Sequence, residues 1–221
     1  MWRPTSSRRA PDTLKEERSA HSIIQSVVDI KSWIDAVPDV DQVRPAWCSC
    51  CGAPSRPIGG ALGLHGHGLR DRSVLGAVTP CAEAQWLTVR VRRYRCMACS
   101  AVLTVVPRGV LRRRLYSASA IGWVLARVGL DGTTTAQVRA EVRPSLIIGG
   151  AAADRWVAVS RWIEAQREGR LFPRLGRHGA GSSPRQVAER TAMQLRALAP
   201  PRGADPPSAH VAAWRGAALA A

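Results

Sequence analysis

The sequence has little lysine, few acids through its middle and no long apolar run. Two of its 32 basic residues are Lys and thirty are Arg. Arginine offers a planar fork that suits phosphate oxygens and guanine edges, which the lysine point charge lacks. No window reaches the ~18 consecutive apolar residues of a membrane span, so no membrane partner is expected. Arg3, Arg8 and Arg9 have no apolar stretch behind them, which argues against a secretory leader and for a cytoplasmic protein. No internal repeat is found. What is present is a hydrophobic share of 46% in 221 residues, too much for a disordered polyelectrolyte and enough for one or two small domains.

The formal net charge is +16, and it is unevenly placed. Residues 1–45 carry seven basic and seven acidic side chains, whereas residues 46–115 carry eleven Arg against Asp71 and Glu83 alone. A GC-rich coding bias would account for Arg over Lys. It would not account for the loss of acids from this one segment, which also holds every cysteine. The expected partner is a polyanion, with DNA the leading candidate.

Four of the six cysteines form two C-x-x-C pairs, Cys48–Cys51 and Cys96–Cys99. Gly52 after the first pair permits a tight knuckle that turns both sulfurs inward. Two knuckles supply the four thiolates of a structural Zn²⁺ site. Disulfides fit poorly in a chain without a leader. A redox motif needs a single C-x-x-C at a helix start. The 44 residues between Cys51 and Cys96 exceed the usual ~15–20 between knuckles, so extra strands or an insertion must fill the gap. That gap holds His65, His67 and Cys81, each able to ligate. The sequence Leu64-His65-Gly66-His67-Gly68 reads more simply as a flexible loop with exposed histidines. Cys50 and Cys81 read as spare thiols.

Gln85–Arg95 alternates as a strand, with Leu87, Val89 and Val91 on one face and Trp86, Thr88, Arg90, Arg92 and Tyr94 on the other. It runs into Cys96. Ala101–Val106 reads as a second short strand stopped by Pro107. So small a sheet is expected to bury little apolar area and to draw part of its folding energy from metal. The Arg90, Arg92 and Tyr94 face is a candidate surface for gripping a nucleic-acid backbone.

Helices follow. Arg112, Arg113 and Arg114 precede a helix starting at Ser117, with Ile121, Val124, Leu125 and Val128 at helical spacing and Gly129–Gly132 as its end. Thr134-x-x-Gln137 is a capping box for a second helix containing Val138 and Val142, stopped at Arg143-Pro144. A third spans Ala152 to about Glu168 with Trp156, Val159, Trp162 and Ile163. Three such helices suggest a helix-turn-helix, although the Val142–Ala152 connection is longer than the usual turn. Asp154, Arg155, Ser160 and Arg161 would then face a major groove, while Trp156 and Trp162 belong to the core. Ser183-Pro184 opens a later helix with Val187, Thr191, Leu195 and Leu198 as its stripe. Ser208–Ala221 forms an Ala-rich helix anchored by Trp214. Residues 1–18 read as a polar arm, and Ala20–Ala36 as an amphipathic helix offering a homodimer or docking face.

The expectation is an α+β chain: an arm and amphipathic helix over residues 1–45, a zinc ribbon over 46–110, a helix-turn-helix-like domain over 111–175, and a linker with C-terminal helices over 176–221. Cys48-x-x-Cys51-Gly52, then His65–Arg72, then Val91-Arg92-Arg93-Tyr94-Arg95-Cys96-x-x-Cys99 and Pro107, resembles the zinc-ribbon head of bacterial insertion-sequence transposases. It is also similar to stand-alone bacterial proteins of unknown function with the same layout. The resemblance covers residues 46–170 and implies that Cys48, Cys51, Cys96 and Cys99 hold zinc, with Arg92, Arg93 and Arg95 near DNA.

Such transposases continue into a catalytic domain of about 150 residues or more whose clustered carboxylates hold two metals. Here Glu189 and Asp205 are the acids beyond residue 170, so no catalytic activity is expected. The reading is a zinc-dependent DNA-binding protein, with Arg90, Arg92, Arg93, Arg95, Arg112, Arg113, Arg114, Arg155 and Arg161 as contacts. The alternative is an interaction module that docks on a recombinase or RNA polymerase.

Overall fold

The computed structural model describes residues 21–142, 156–201 and 207–221. The architecture is α+β: a four-stranded mixed sheet followed by helices. Strand β1 covers His21–Asp29, helix α1 Ile30–Asp35, and strands β2, β3 and β4 cover Leu64–Gly76, Gln85–Cys96 and Val102–Arg108. The sheet order is β1-β4-β3-β2. β1 pairs parallel with β4, and the other two pairings are antiparallel.

Three expectations change here. The segment read as one helix over Ala20–Ala36 is a strand through Asp29 and a helix only from Ile30. Its β-branched run Ile23, Ile24, Val27 and Val28 suits a pleated surface, and the open edge of β4 supplies the partner. Asp29 ends the strand and caps α1, its carboxylate accepting from the Ser32 N–H at 3.0 Å. The stretch Leu64–Gly68, read as a flexible loop, lies in β2 opposite β3, with a bulge between Gly66 and Leu69. Gly68 takes the positive φ of 79° at that bulge. Pro107 does not stop β4, which continues to Arg108. The β1 register shifts between Gln25 and Asp29, opposite this proline, so its missing N–H falls where the ladder is already interrupted.

Helices α2 (Ala118–Gly129), α3 (Thr135–Val142), α4 (Ala158–Arg167), α5 (Pro184–Leu198) and α6 (Ala209–Ala220) complete the chain. The Ser117 hydroxyl caps α2 by accepting from Ala120 N–H at 3.1 Å. Thr134 and Gln137 exchange the expected capping contacts, as do Ser183 and Gln186. The polar arm, the Arg143-Pro144 stop, and the Ala152 start with Asp154 and Arg155 lie outside the described residues.

Two cores form. One gathers Trp33, Leu64, Val89, Val91, Tyr94, Leu103, Val105 and Val106 around the sheet. The other joins α2 to α6, from Leu111 to Ala220. Trp162 is buried in the second core, and Tyr116, Trp156 and Trp162 form an aromatic cluster beside it. Trp214 is not the fully buried anchor of α6. Its buried stripe is Ala212, Ala213, Gly216, Ala217 and Ala220, because α6 packs backbone to backbone. A Cβ on Gly216 would lie 1.8 Å from the Leu195 carbonyl oxygen, and one on Gly129 would lie 2.3 Å from the Glu189 nitrogen. Leu198, read as part of the α5 stripe, is 40% exposed.

Candidate metal centre and its basic surroundings

The two C-x-x-C segments fold into near-identical knuckles. Cys48 N–H donates to the Ala53 carbonyl at 2.8 Å, and Gly52 N–H to the Cys48 carbonyl at 2.9 Å. Cys96 N–H donates to the Ala101 carbonyl at 2.9 Å, and Ser100 N–H to the Cys96 carbonyl at 3.0 Å. Each contact recurs 48 positions later. Gly52 and Ser100 hold the equivalent left-handed position, with φ of 75° and 57°; glycine takes it freely, serine at a cost. The β2–β3 hairpin fills the long gap between knuckles. It pairs Leu64 with Cys96, and Met97 N–H reaches back to the Gly63 carbonyl at 2.9 Å.

Cys48, Cys51, Cys96 and Cys99 thus converge, their sulfurs all within 4.8 Å of one another. Cys48–Cys99 and Cys51–Cys96 are each 3.7 Å apart, far beyond the ~2.05 Å of a disulfide bond; all six cysteines are free thiols. Four sulfurs at ~2.3 Å from a tetrahedral ion stand about 3.8 Å apart, so the cage has the size of a metal site. Burial works against ionisation of Cys96, but the N–H groups of Cys99 and Ala98, aimed at its sulfur, outweigh this and bring its pKa down to about 7. Cys99 accepts from Ala101 N–H, yet burial and its three sulfur neighbours push its thiol well above the ordinary range. Four thiolates this close are stable together only around a cation. His65, His67, Cys50 and Cys81 are exposed and outside the cluster.

The Arg90, Arg92 and Tyr94 face of β3 is not open as expected. Residues 33–44 cover it. Trp33 is fully buried, its indole N–H donating to the Arg90 carbonyl at 2.9 Å. Arg92 Nε donates to the Pro38 carbonyl at 2.7 Å, and the Tyr94 hydroxyl to the Val40 carbonyl at 2.6 Å. Tyr94 is fully buried, with the Arg44 guanidinium 5.5 Å from its ring centre. Gly66 is required here, because a Cβ would meet the Val40 side chain at 2.7 Å. The Arg90 side chain remains exposed.

The opposite face carries more charge. Ladder partners project to the same side, which puts His65, Arg70 and Arg72 of β2 with Arg93 and Arg95 of β3. Arg95 is exposed; Arg93 is half-buried, its Nε enclosed without a partner. The turn after β4 adds exposed Arg112 and Arg113 and half-buried Arg114. Arg161 is exposed on α4, as is Ser160; Arg155 lies outside the described residues. Sequence reasoning passed over Arg70 and Arg72, although their i, i+2 spacing marks one strand face. It also passed over Arg44 and Trp33, which lock the covering segment. No family model, curated protein or solved structure matches the chain. No helix among the described residues is long and apolar enough to cross a membrane.

Proposed function

We propose that the chain is a zinc-stabilised DNA-binding protein, transposase-related or a transcriptional regulator. An all-thiolate tetrahedral set selects Zn²⁺ over the hard cations. The observation that carries the DNA reading is the pairing of this metal cage with an arginine-rich, acid-poor surface. Arg95, Arg112 and Arg113 are exposed, and among the described residues the arginine ion pairs lie elsewhere, at Arg44, Arg56, Arg127, Arg167 and Arg170. Unneutralised guanidinium groups on a stiff sheet exchange condensed counterions from duplex DNA for direct phosphate contacts. The ion's role is to hold the 48–51 and 96–99 segments together, and the arginines do the binding.

Duplex binding measured by fluorescence anisotropy over a salt series tests this. Log affinity is expected to fall linearly with log salt, and the double variant Arg95→Ala, Arg112→Ala is expected to reduce the slope by about 2. A zinc-loaded protein that shows no duplex binding at low salt would overturn the reading. In that case the surface at the knuckles supports docking on a recombinase or RNA polymerase instead, since Trp47, Ile58 and Met97 are 65%, 106% and 62% exposed there.

A further inference from the structure

Beside the sheet lies a cavity of about 390 Å³ between β2, the floor residues Val91 and Thr104, and the turn that follows β4. Its size falls in the ~300–1,000 Å³ range of small-ligand sites. Arg70, Arg72, Arg113 and Arg114 line it against one carboxylate, Asp71. Asp71 stands opposite Arg90 on the ladder. Among the described residues none of the four arginines forms an ion pair. Arg72 is held in place, its Nη2 donating to the Leu111 carbonyl at 2.6 Å and the Arg114 carbonyl at 3.4 Å. Its Nε is enclosed and without a partner. Burial and the adjacent Arg70 both lower its pKa, and burial together with Arg170 does the same at Arg114. Arg113 projects from a backbone that takes a left-handed φ of 55°. That is an uncommon conformation for a residue other than glycine, and one found where structure over-determines it.

Clustering four guanidinium groups around a single carboxylate is costly unless a further anion repays it. A tetrahedral oxyanion accepts several forked N–H donors at once, which a halide cannot. We propose that this cavity is a phosphate-binding pocket, in which Arg72 and Arg114 form the fixed wall and Arg70 and Arg113 close on the ligand from the exposed side. The phosphate belongs either to a nucleic-acid backbone or to a small phosphorylated compound. The pocket stands on its own whether or not duplex DNA binds.

Titration of the zinc-loaded full chain with inorganic phosphate, by calorimetry at ionic strength matched with chloride, tests the assignment. Saturable one-site binding is expected. Arg70→Ala and Arg113→Ala should each weaken it about tenfold, the size of one lost charge-assisted contact. Both side chains are exposed and without hydrogen-bond partners among the described residues, so the fold should survive. The control Arg177→Ala with Arg196→Ala removes equal charge from exposed positions elsewhere and should leave phosphate affinity unchanged. Competition with a short duplex separates the two sources. Displacement by duplex assigns the pocket to backbone phosphate, and phosphate binding without displacement assigns it to a small ligand. Non-saturable binding, or an equal loss in the control, would overturn the proposal.

Discussion

Gln166 shows how one buried side chain organises a turn. It is fully enclosed; its amide N–H donates to the Gly176 carbonyl at 3.1 Å and its oxygen accepts from Phe172 N–H at 2.9 Å. These contacts tie the end of α4 to the 3₁₀ turn at Pro173–Leu175. Gln166→Leu keeps the volume but strands the buried Phe172 N–H, at about 1–3 kcal/mol before relaxation. A urea midpoint lowered at unchanged slope is the expected result. An unshifted midpoint would mean that water replaces the amide. Nothing in the sequence distinguishes Gln166 from any helical glutamine, because its partners lie in the chain turning back over it. The four clustered cysteines were legible for the opposite reason. A knuckle is a local structure, and its spacing is written in consecutive residues.

At the scale of elements, legibility followed the range of the interaction that decides each one. Ser117, Thr134 and Ser183 cap helices within three residues of themselves, and all three were readable. β1 was read as a helix because Ile23, Ile24, Val27 and Val28 fit one helical face, while its deciding partner is β4, about eighty positions away. The covered face of β3 was missed likewise, since Val40 and Trp33 reach it from another element. Helix α6 carries a further lesson: alanine and glycine make the contact, so its largest residue is the wrong guide. Gly216→Ala places a methyl into the Leu195 carbonyl, where backbone must move. A loss of about 1–3 kcal/mol is expected from overpacking, read as a lower melting temperature. Gly181→Ala, with open space around it, should not destabilise the protein.

For the whole molecule, the two cores would keep the influence of a metal at the four cysteines local. Cys48 and Cys96 belong to the sheet core, while the core of α2 to α6 contains no cysteine. Structural zinc contributes folding energy in small domains outright. Chelation of the proposed zinc should therefore strip hydrogen-exchange protection from β2, β3 and β4 while α2, α5 and α6 keep most of theirs. The Trp33 indole N–H, bonded to β3, should lose protection with the strands. Uniform loss across both cores would show instead that they unfold as one.

The parallel pairing of β1 with β4 has a consequence for synthesis. His21 faces Val102 in that ladder, a separation of 81 residues. At the ~5–20 residues per second of a ribosome, Ile23, Ile24 and their neighbours emerge about 4–16 s before the strand they complete. Through that interval a nascent apolar segment has no native mate, which makes the earliest strand a natural client for a chaperone.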